Sequence, residues 1–130
     1  MNRREVLKAG LVLPASVLTG SVRGERKILL LESVLAGFRY YEGEKVWNIL
    51  RKGDPLELRR EPDNPYDPRA VEVLWKGRKL GYVPRRDNAV IAQLMDRGNL
   101  LEGKISELRE TSNPWRRVSI EIYLVIVTDI

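Results

Sequence analysis

Arg69-Ala70-Val71-Glu72-Val73-Leu74-Trp75-Lys76-Gly77-Arg78-Lys79-Leu80-Gly81-Tyr82-Val83 decides the fold. Val71 and Val73 fall on one side of an extended chain and Glu72 and Leu74 on the other, which is the period of a strand and not of a helix. Lys76-Gly77 interrupts the run, and Lys79 to Val83 resumes it. Two extended runs around such a pair read as a β-hairpin, because a two-residue loop must match the twist of the strands it joins.

Upstream, Pro55 to Arg60 alternates Leu56 and Leu58 against Glu57 and Arg59, the pattern of a half-buried strand. Glu61-Pro62-Asp63-Asn64-Pro65-Tyr66-Asp67-Pro68 separates it from the hairpin. Three prolines in eight residues cannot continue a hydrogen-bonded ladder, so this is a loop. Ile28 to Phe38 is apolar and partly β-branched, a buried strand ending near Gly37. Glu42 to Gly53 has room for one or two helical turns around Val46, Trp47, Ile49 and Leu50.

Downstream, Pro84-Arg85-Arg86-Asp87-Asn88 opens the main helix, expected near Asn88 to Arg97 with Asp87 or Asn88 as its cap. Val90, Ile91, Leu94 and Met95 share a face at helical spacing, and Gly98 stands at the C-terminal cap. Two strands follow, Glu102 to Arg109 and Arg116 to Val127, joined by Thr111-Ser112-Asn113-Pro114. The second strand puts Val118, Ile120, Ile122, Leu124 and Ile126 on one face. The fold expected is mainly β (α+β), a curled sheet of about six strands with one main helix, closed into a small barrel because closure removes exposed edges. Val71, Val73, Leu80, Val83, Ile91, Leu94, Ile120 and Ile122 are its expected core.

At 130 residues the chain has the size of one domain. It contains no cysteine and no histidine, which excludes Cys–His and Ser–His–Asp catalysis and leaves a zinc site only carboxylates. The formal charge is +5 and the pI about 9.7, a balance that favours polyanionic partners. Part of that charge sits at the start. Setting aside the first 21 residues, which hold Arg3, Arg4, Lys8 and Glu5, lowers it to +3.

Those residues have the layout of an export signal: Arg3-Arg4-Glu5-Val6-Leu7-Lys8, a short apolar run from Ala9 to Leu18, then small residues at Thr19 and Ser21. The arginine pair resembles the twin-arginine export motif. About ten apolar residues, broken by Pro14, are too few to span a bilayer. The plainer alternative is an ordinary amphipathic N-terminal helix. On the export reading, residues 1–27 are signal segment and connector, residues 28–130 are the functional domain, and the protein is exported or periplasmic. On the alternative it is cytoplasmic.

Three stretches combine aromatic, basic and acidic side chains: Gly37-Phe38-Arg39-Tyr40-Tyr41, Arg60 to Asp67, and Leu80 to Arg86. Aromatic faces stack bases and basic groups follow phosphates in single-stranded nucleic-acid sites. Composition alone leaves another reading open, in which Tyr40 and Tyr41 alternate between core and solvent and Asp67 is a turn residue. The order of the three stretches resembles the HIRAN domain family over about Ile28 to Ile126, with Asn64-Pro65-Tyr66-Asp67, an alternating strand, and Leu80-Gly81-Tyr82-Val83-Pro84 as the specific combination.

That resemblance implies an OB-like barrel that grips the 3′ end of single-stranded DNA. Matched by motif position, Arg39 and Tyr40 contact backbone and base, Asn64 and Tyr66 shape and line a pocket, and Asp67 accepts from the 3′-hydroxyl. Tyr82 supplies a further ring and Arg85 a cation for the terminal phosphates. A carboxylate suits the task because it accepts from a hydroxyl and repels a phosphate. No Walker-type glycine loop is present, and no enzymatic activity, cofactor or metal is expected. Two other functions compete: an envelope-located barrel binding a protein or small ligand without a DNA role, and a divalent-metal hydrolase built on Asp63 and Asp67. The hydrolase lacks a third reliable oxygen ligand.

Overall fold

The computed structural model describes residues 23–129. The expected signal segment, residues 1–21, lies outside them. Strands β1 (Arg23–Val34), β2 (Pro55–Glu61), β3 (Ala70–Trp75), β4 (Arg78–Tyr82), β5 (Leu100–Leu108) and β6 (Val118–Asp129) form one sheet in the order β1-β6-β5-β2-β3-β4. The β2–β3, β3–β4, β2–β5 and β5–β6 pairs are antiparallel. A short helix α1 (Gly43–Val46) and the main helix α2 (Asn88–Asp96) complete it. This is the mainly β, six-stranded, curled sheet that the alternating patterns require.

The outer ends of β1 and β6, residues 23–26 and 126–129, belong to a small unit of their own, in which Thr128 Oγ1 donates to the Gly24 carbonyl at 3.5 Å. The larger unit is Lys27–Val125. Its core is built from Leu35, Phe38, Val71, Val73, Leu80, Val83, Ile91, Ile105, Ile120 and Ile122, all buried. The hairpin turn has positive φ at both central residues, 47° at Lys76 and 80° at Gly77, as a type I′ turn demands. Helix α2 ends as expected: Gly98 N–H donates to Met95 O and Asn99 N–H to Leu94 O, both at 3.0 Å, the paired bonds of a Schellman cap.

The structure corrects six details. β1 begins at Arg23, so residues 23–27 are strand and not connector; backbone pairing with β6 needs no apolar side chains, and Glu25, Arg26 and Lys27 are exposed. That strand stops at Val34, and a 3₁₀ turn occupies Phe38–Tyr40. β3 is buried along its whole length, Glu72 included, which Arg59 and Lys79 each approach at 3.7 Å. The inward face of α2 is Asn88, Ile91 and Ala92, with Leu94 and Met95 partly covered, while Val90 is 61% exposed. Asp87 stands at the N-cap but makes no side-chain cap bond: its backbone is right-handed helical (φ −114°, ψ −4°) and not extended as in a capping residue, and its carboxylate instead accepts from Ser33 Oγ at 2.7 Å. In β6 the alternation holds through Ile122, after which Val125 is buried and Leu124 only partly so.

Candidate nucleic-acid interface

The proline-rich loop between β2 and β3 is held by two side chains. Asn64 Oδ1 accepts the backbone N–H of Tyr66 at 2.9 Å and of Asp67 at 3.1 Å, and Asn64 Nδ2 donates to Glu61 Oε1 at 3.0 Å. Asn side chains that bond their own following backbone stabilise such turns. Arg60 closes the loop's base: its guanidinium donates to the Ala70 carbonyl at 2.7 Å, the Pro68 carbonyl at 3.0 Å, and both Asp96 oxygens on α2 at 2.8 and 3.1 Å. The fork geometry of guanidinium suits this four-bond clamp. With its loop held, Tyr66 projects into solvent, 83% exposed.

Asp67 points the other way and is buried. Its Oδ1 accepts the Arg69 backbone N–H at 3.0 Å and its Oδ2 accepts Asn88 Nδ2 at 2.8 Å, with Arg85 Nε 3.8 Å from Oδ2. Burial pushes its pKa up, but the bonds from Arg69 and Asn88 and the charge of Arg85 outweigh this and hold the carboxyl below its usual range. Asp67 is thus a carboxylate, an acceptor only, at neutral pH.

The facing wall is a second network. Tyr82 Oη donates to Glu61 Oε1 at 2.6 Å and accepts from Lys79 Nζ at 2.6 Å. Lys79 Nζ lies 4.2 Å from the Tyr41 ring centroid and 4.3 Å from that of Tyr82, and the two rings meet edge to face at 5.8 Å. Burial raises the Tyr82 pKa and its bond to Glu61 raises it further. Burial works against the charged forms of Glu61 and Lys79, yet the bonds and charges they share hold Glu61 low and Lys79 high.

Between these walls runs an open cleft of about 810 Å³. It takes in five of the seven residues expected at the site: Asn64, Tyr66, Asp67, Tyr82 and Arg85. Arg39 and Tyr40 lie outside its lining, on the 3₁₀ turn, exposed, with the Arg39 guanidinium 5.6 Å from the Tyr40 ring. Tyr41 lines the cleft instead. Residues three apart share a side of a 3₁₀ turn, so with Phe38 buried Tyr41, at the turn's end, lies along the cleft, still 36% exposed, while Arg39 and Tyr40 face away from it. Arg60 lines the cleft but its guanidinium is committed to the clamp. Arg85, with a side chain 76% exposed, is a far more available cation.

Sequence reasoning gave Lys79, Asn88 and Trp115 no role at the site, naming Asn88 only as a possible helix cap. Trp115 also lines the cleft, 56% exposed, on the 3₁₀ turn Pro114–Arg116 that follows β5. Asn113 Oδ1 caps that turn by accepting Trp115 N–H at 3.1 Å. Its local signal, Asn113-Pro114-Trp115, is legible as a turn carrying an exposed ring; Lys79 and Asn88 had no such signal.

The fold and cleft define a small curled-sheet domain with one aromatic, charge-lined groove. Residues 28–127 match the family described as the HIRAN domain, and the chain belongs to that family. It is 35% identical over 81 residues to a Fanconi-associated nuclease 1 homolog of Oryza sativa subsp. japonica, covering 59% of this chain and 8% of that protein. To the helicase-like transcription factor of Mus musculus it is 33% identical over 81 residues, 62% of this chain and 7% of that protein. The chain therefore spans only a small part of either relative. A crystal structure of a protein from Lactobacillus plantarum superposes with a TM-score of 0.68 at 28% identity, over 78% of this chain and 98% of that one. The HIRAN domain of human HLTF superposes with a TM-score of 0.60 at 23% identity, over 76% and 78% of the two chains.

Proposed function

We propose that this chain is a DNA-binding module that takes the 3′ end of a single strand into the cleft. The observation that carries the reading is the close grouping of three different recognition groups in a HIRAN domain: the exposed ring of Tyr66, the Asp67 carboxylate beside it in sequence, and the Arg85 guanidinium 3.8 Å from that carboxylate. An exposed ring stacks a base for roughly 1–3 kcal/mol. A guanidinium holds a phosphate. A carboxylate has about four acceptor positions, so Asp67 keeps capacity for a terminal hydroxyl after accepting from Arg69 and Asn88.

The module binds and does not react. The activities named for the longer relatives belong to those proteins as wholes. Export by the twin-arginine route, which rests on Arg3 and Arg4, is part of the same proposal and brings the module to DNA outside the cytoplasm. Among the described residues no helix is long and apolar enough to cross a membrane. Fluorescence anisotropy with single-stranded oligonucleotides ending in 3′-hydroxyl or 3′-phosphate tests the function. Tighter binding of the hydroxyl end is expected; absence of binding, or equal affinity for both ends, refutes it.

A further inference from the structure

We propose that Asn88 is a positioning residue for Asp67: from its buried position in the first turn of α2 it aims the carboxylate so that the cleft separates a 3′-hydroxyl from a 3′-phosphate. This rests on the end-binding reading above.

Two ordinary explanations for an Asn at this place fail. It does not cap the helix, since α2 has its cap position at Asp87 and no side-chain cap bond. It does not serve packing, since it is 1% exposed beside Ile91 and Ala92, where an apolar side chain would fill the space without a polar burden. The burden is visible. Asn88 Oδ1 is buried with no hydrogen-bond partner among the described residues, and an orphaned polar atom opposes folding. Asn88 Nδ2 donates to Asp67 Oδ2 at 2.8 Å, across 21 residues of sequence. The amide must present its nitrogen there, because a carboxylate only accepts.

The arrangement frees Arg85. Asp67 receives two neutral donors, the Arg69 backbone N–H and the Asn88 amide, at hydrogen-bond distance, while Arg85 stays at 3.8 Å with its side chain mostly in solvent. If Arg85 were the carboxylate's main partner, turning toward a ligand phosphate would strip Asp67 of its support. With Asn88 in place the carboxylate keeps its orientation while the guanidinium engages the strand. Asn88 touches no ligand in this account and acts only through Asp67.

The test uses the full chain with Asn88→Leu and, in parallel, Asn88→Ala, each also made on an Asp67→Asn background. Thermal melts report folding, anisotropy reports affinity for 3′-hydroxyl and 3′-phosphate oligonucleotides, and carbon-detected NMR follows titration of the Asp67 carboxyl. The expected result is a folded variant whose preference for the hydroxyl end falls roughly tenfold, the scale of one lost bond to a charged group. Asp67 should then titrate at higher pH than in the parent, and Asn88→Leu should change neither affinity once Asp67 is already Asn. A folded variant that keeps the parental preference and the parental Asp67 titration overturns the proposal. So does loss of the fold in both variants, which makes Asn88 a structural residue. A parent protein with no end preference overturns the end-binding reading itself; a shifted Asp67 titration in that case leaves Asn88–Asp67 a purely structural pair.

Discussion

Ala36 and Tyr82 exchange two backbone hydrogen bonds, each 2.9 Å long. Ala36 follows the end of β1 and Tyr82 ends β4, so this bridge joins the two outermost strands of the sheet and curls it shut at one end. The same joint builds the cleft: Gly37 and Tyr41 leave from one side of it, and the Tyr82 ring from the other. Closure and binding groove are therefore one structural event.

Gly81 should tolerate no side chain at this joint. A Cβ there would lie 2.2 Å from the Ala36 carbonyl oxygen, and a backbone atom cannot swing aside. Gly81→Ala should cost about 1–3 kcal/mol, the usual range for overpacking. Each kcal/mol lowers the midpoint by about 4–8 °C in a domain of this size. Thermal and urea melts measure it, and a variant as stable as the parent would show that the bridge does not hold the sheet closed.

Asp67→Ala should weaken binding of a 3′-hydroxyl oligonucleotide more than that of a 3′-phosphate one, by about 1.5–3 kcal/mol. It should also lower stability, because the Asn88 amide and the Arg69 N–H lose their acceptor. Affinities are to be compared at a temperature where the variant is folded. Equal losses for both ligands would make Asp67 a turn residue only.

Arg85→Ala should weaken binding regardless of base sequence and reduce the salt slope by about 0.7, one phosphate's share on a single strand. Arg39→Ala should act in the same direction if the strand runs out of the cleft across the 3₁₀ turn. Tyr66→Ala should instead cost about 1–3 kcal/mol of stacking with the slope intact. Tyr40→Ala should cost less than Tyr66→Ala, since Tyr40 stands outside the cleft lining. Titrations at several salt concentrations separate charge from stacking, and an unchanged slope in both arginine variants would place the phosphate contacts elsewhere.

Acid should cost the parent more stability than it costs a variant lacking these carboxylates. Glu61 and Asp67 both have pKa values held below their ordinary range in the folded chain. A carboxyl depressed on folding contributes stability that is fully present above its unfolded value, about 4, and is lost as pH falls through the lower folded value. Urea melts between neutral pH and about pH 3 should show this loss, and Glu61→Gln should flatten the profile. A profile identical in parent and variant would remove Glu61 from the account.

Replacing Arg3 and Arg4 together by lysine should trap the protein in the cytoplasm, because an exporter that reads the guanidinium pair does not accept charge alone. Cell fractionation checks it. Full-length, unprocessed parent protein in the cytoplasm would show residues 1–21 to be no export signal, and would return the DNA role to the cell interior.

The sequence by itself determined the elements: the hairpin at Lys76-Gly77, the strands marked by alternation, the main helix with its Gly98 cap, and the loop that carries Asn64, Tyr66 and Asp67. Each is written in neighbouring residues, through side-chain period, proline placement and turn chemistry, and local rules suffice to read it. The tertiary structure alone decided that β3 is covered on both faces, that Tyr41 and not Tyr40 enters the cleft, that Arg60 is spent on Asp96, and that Asp67 rests on Asn88. Those outcomes depend on which groups meet across long stretches of chain, 36 residues for Arg60 and Asp96 and 21 for Asp67 and Asn88. A side chain's burial and partners are properties of the surface packed against it, and that surface is assembled by tertiary contacts that no neighbouring residue specifies.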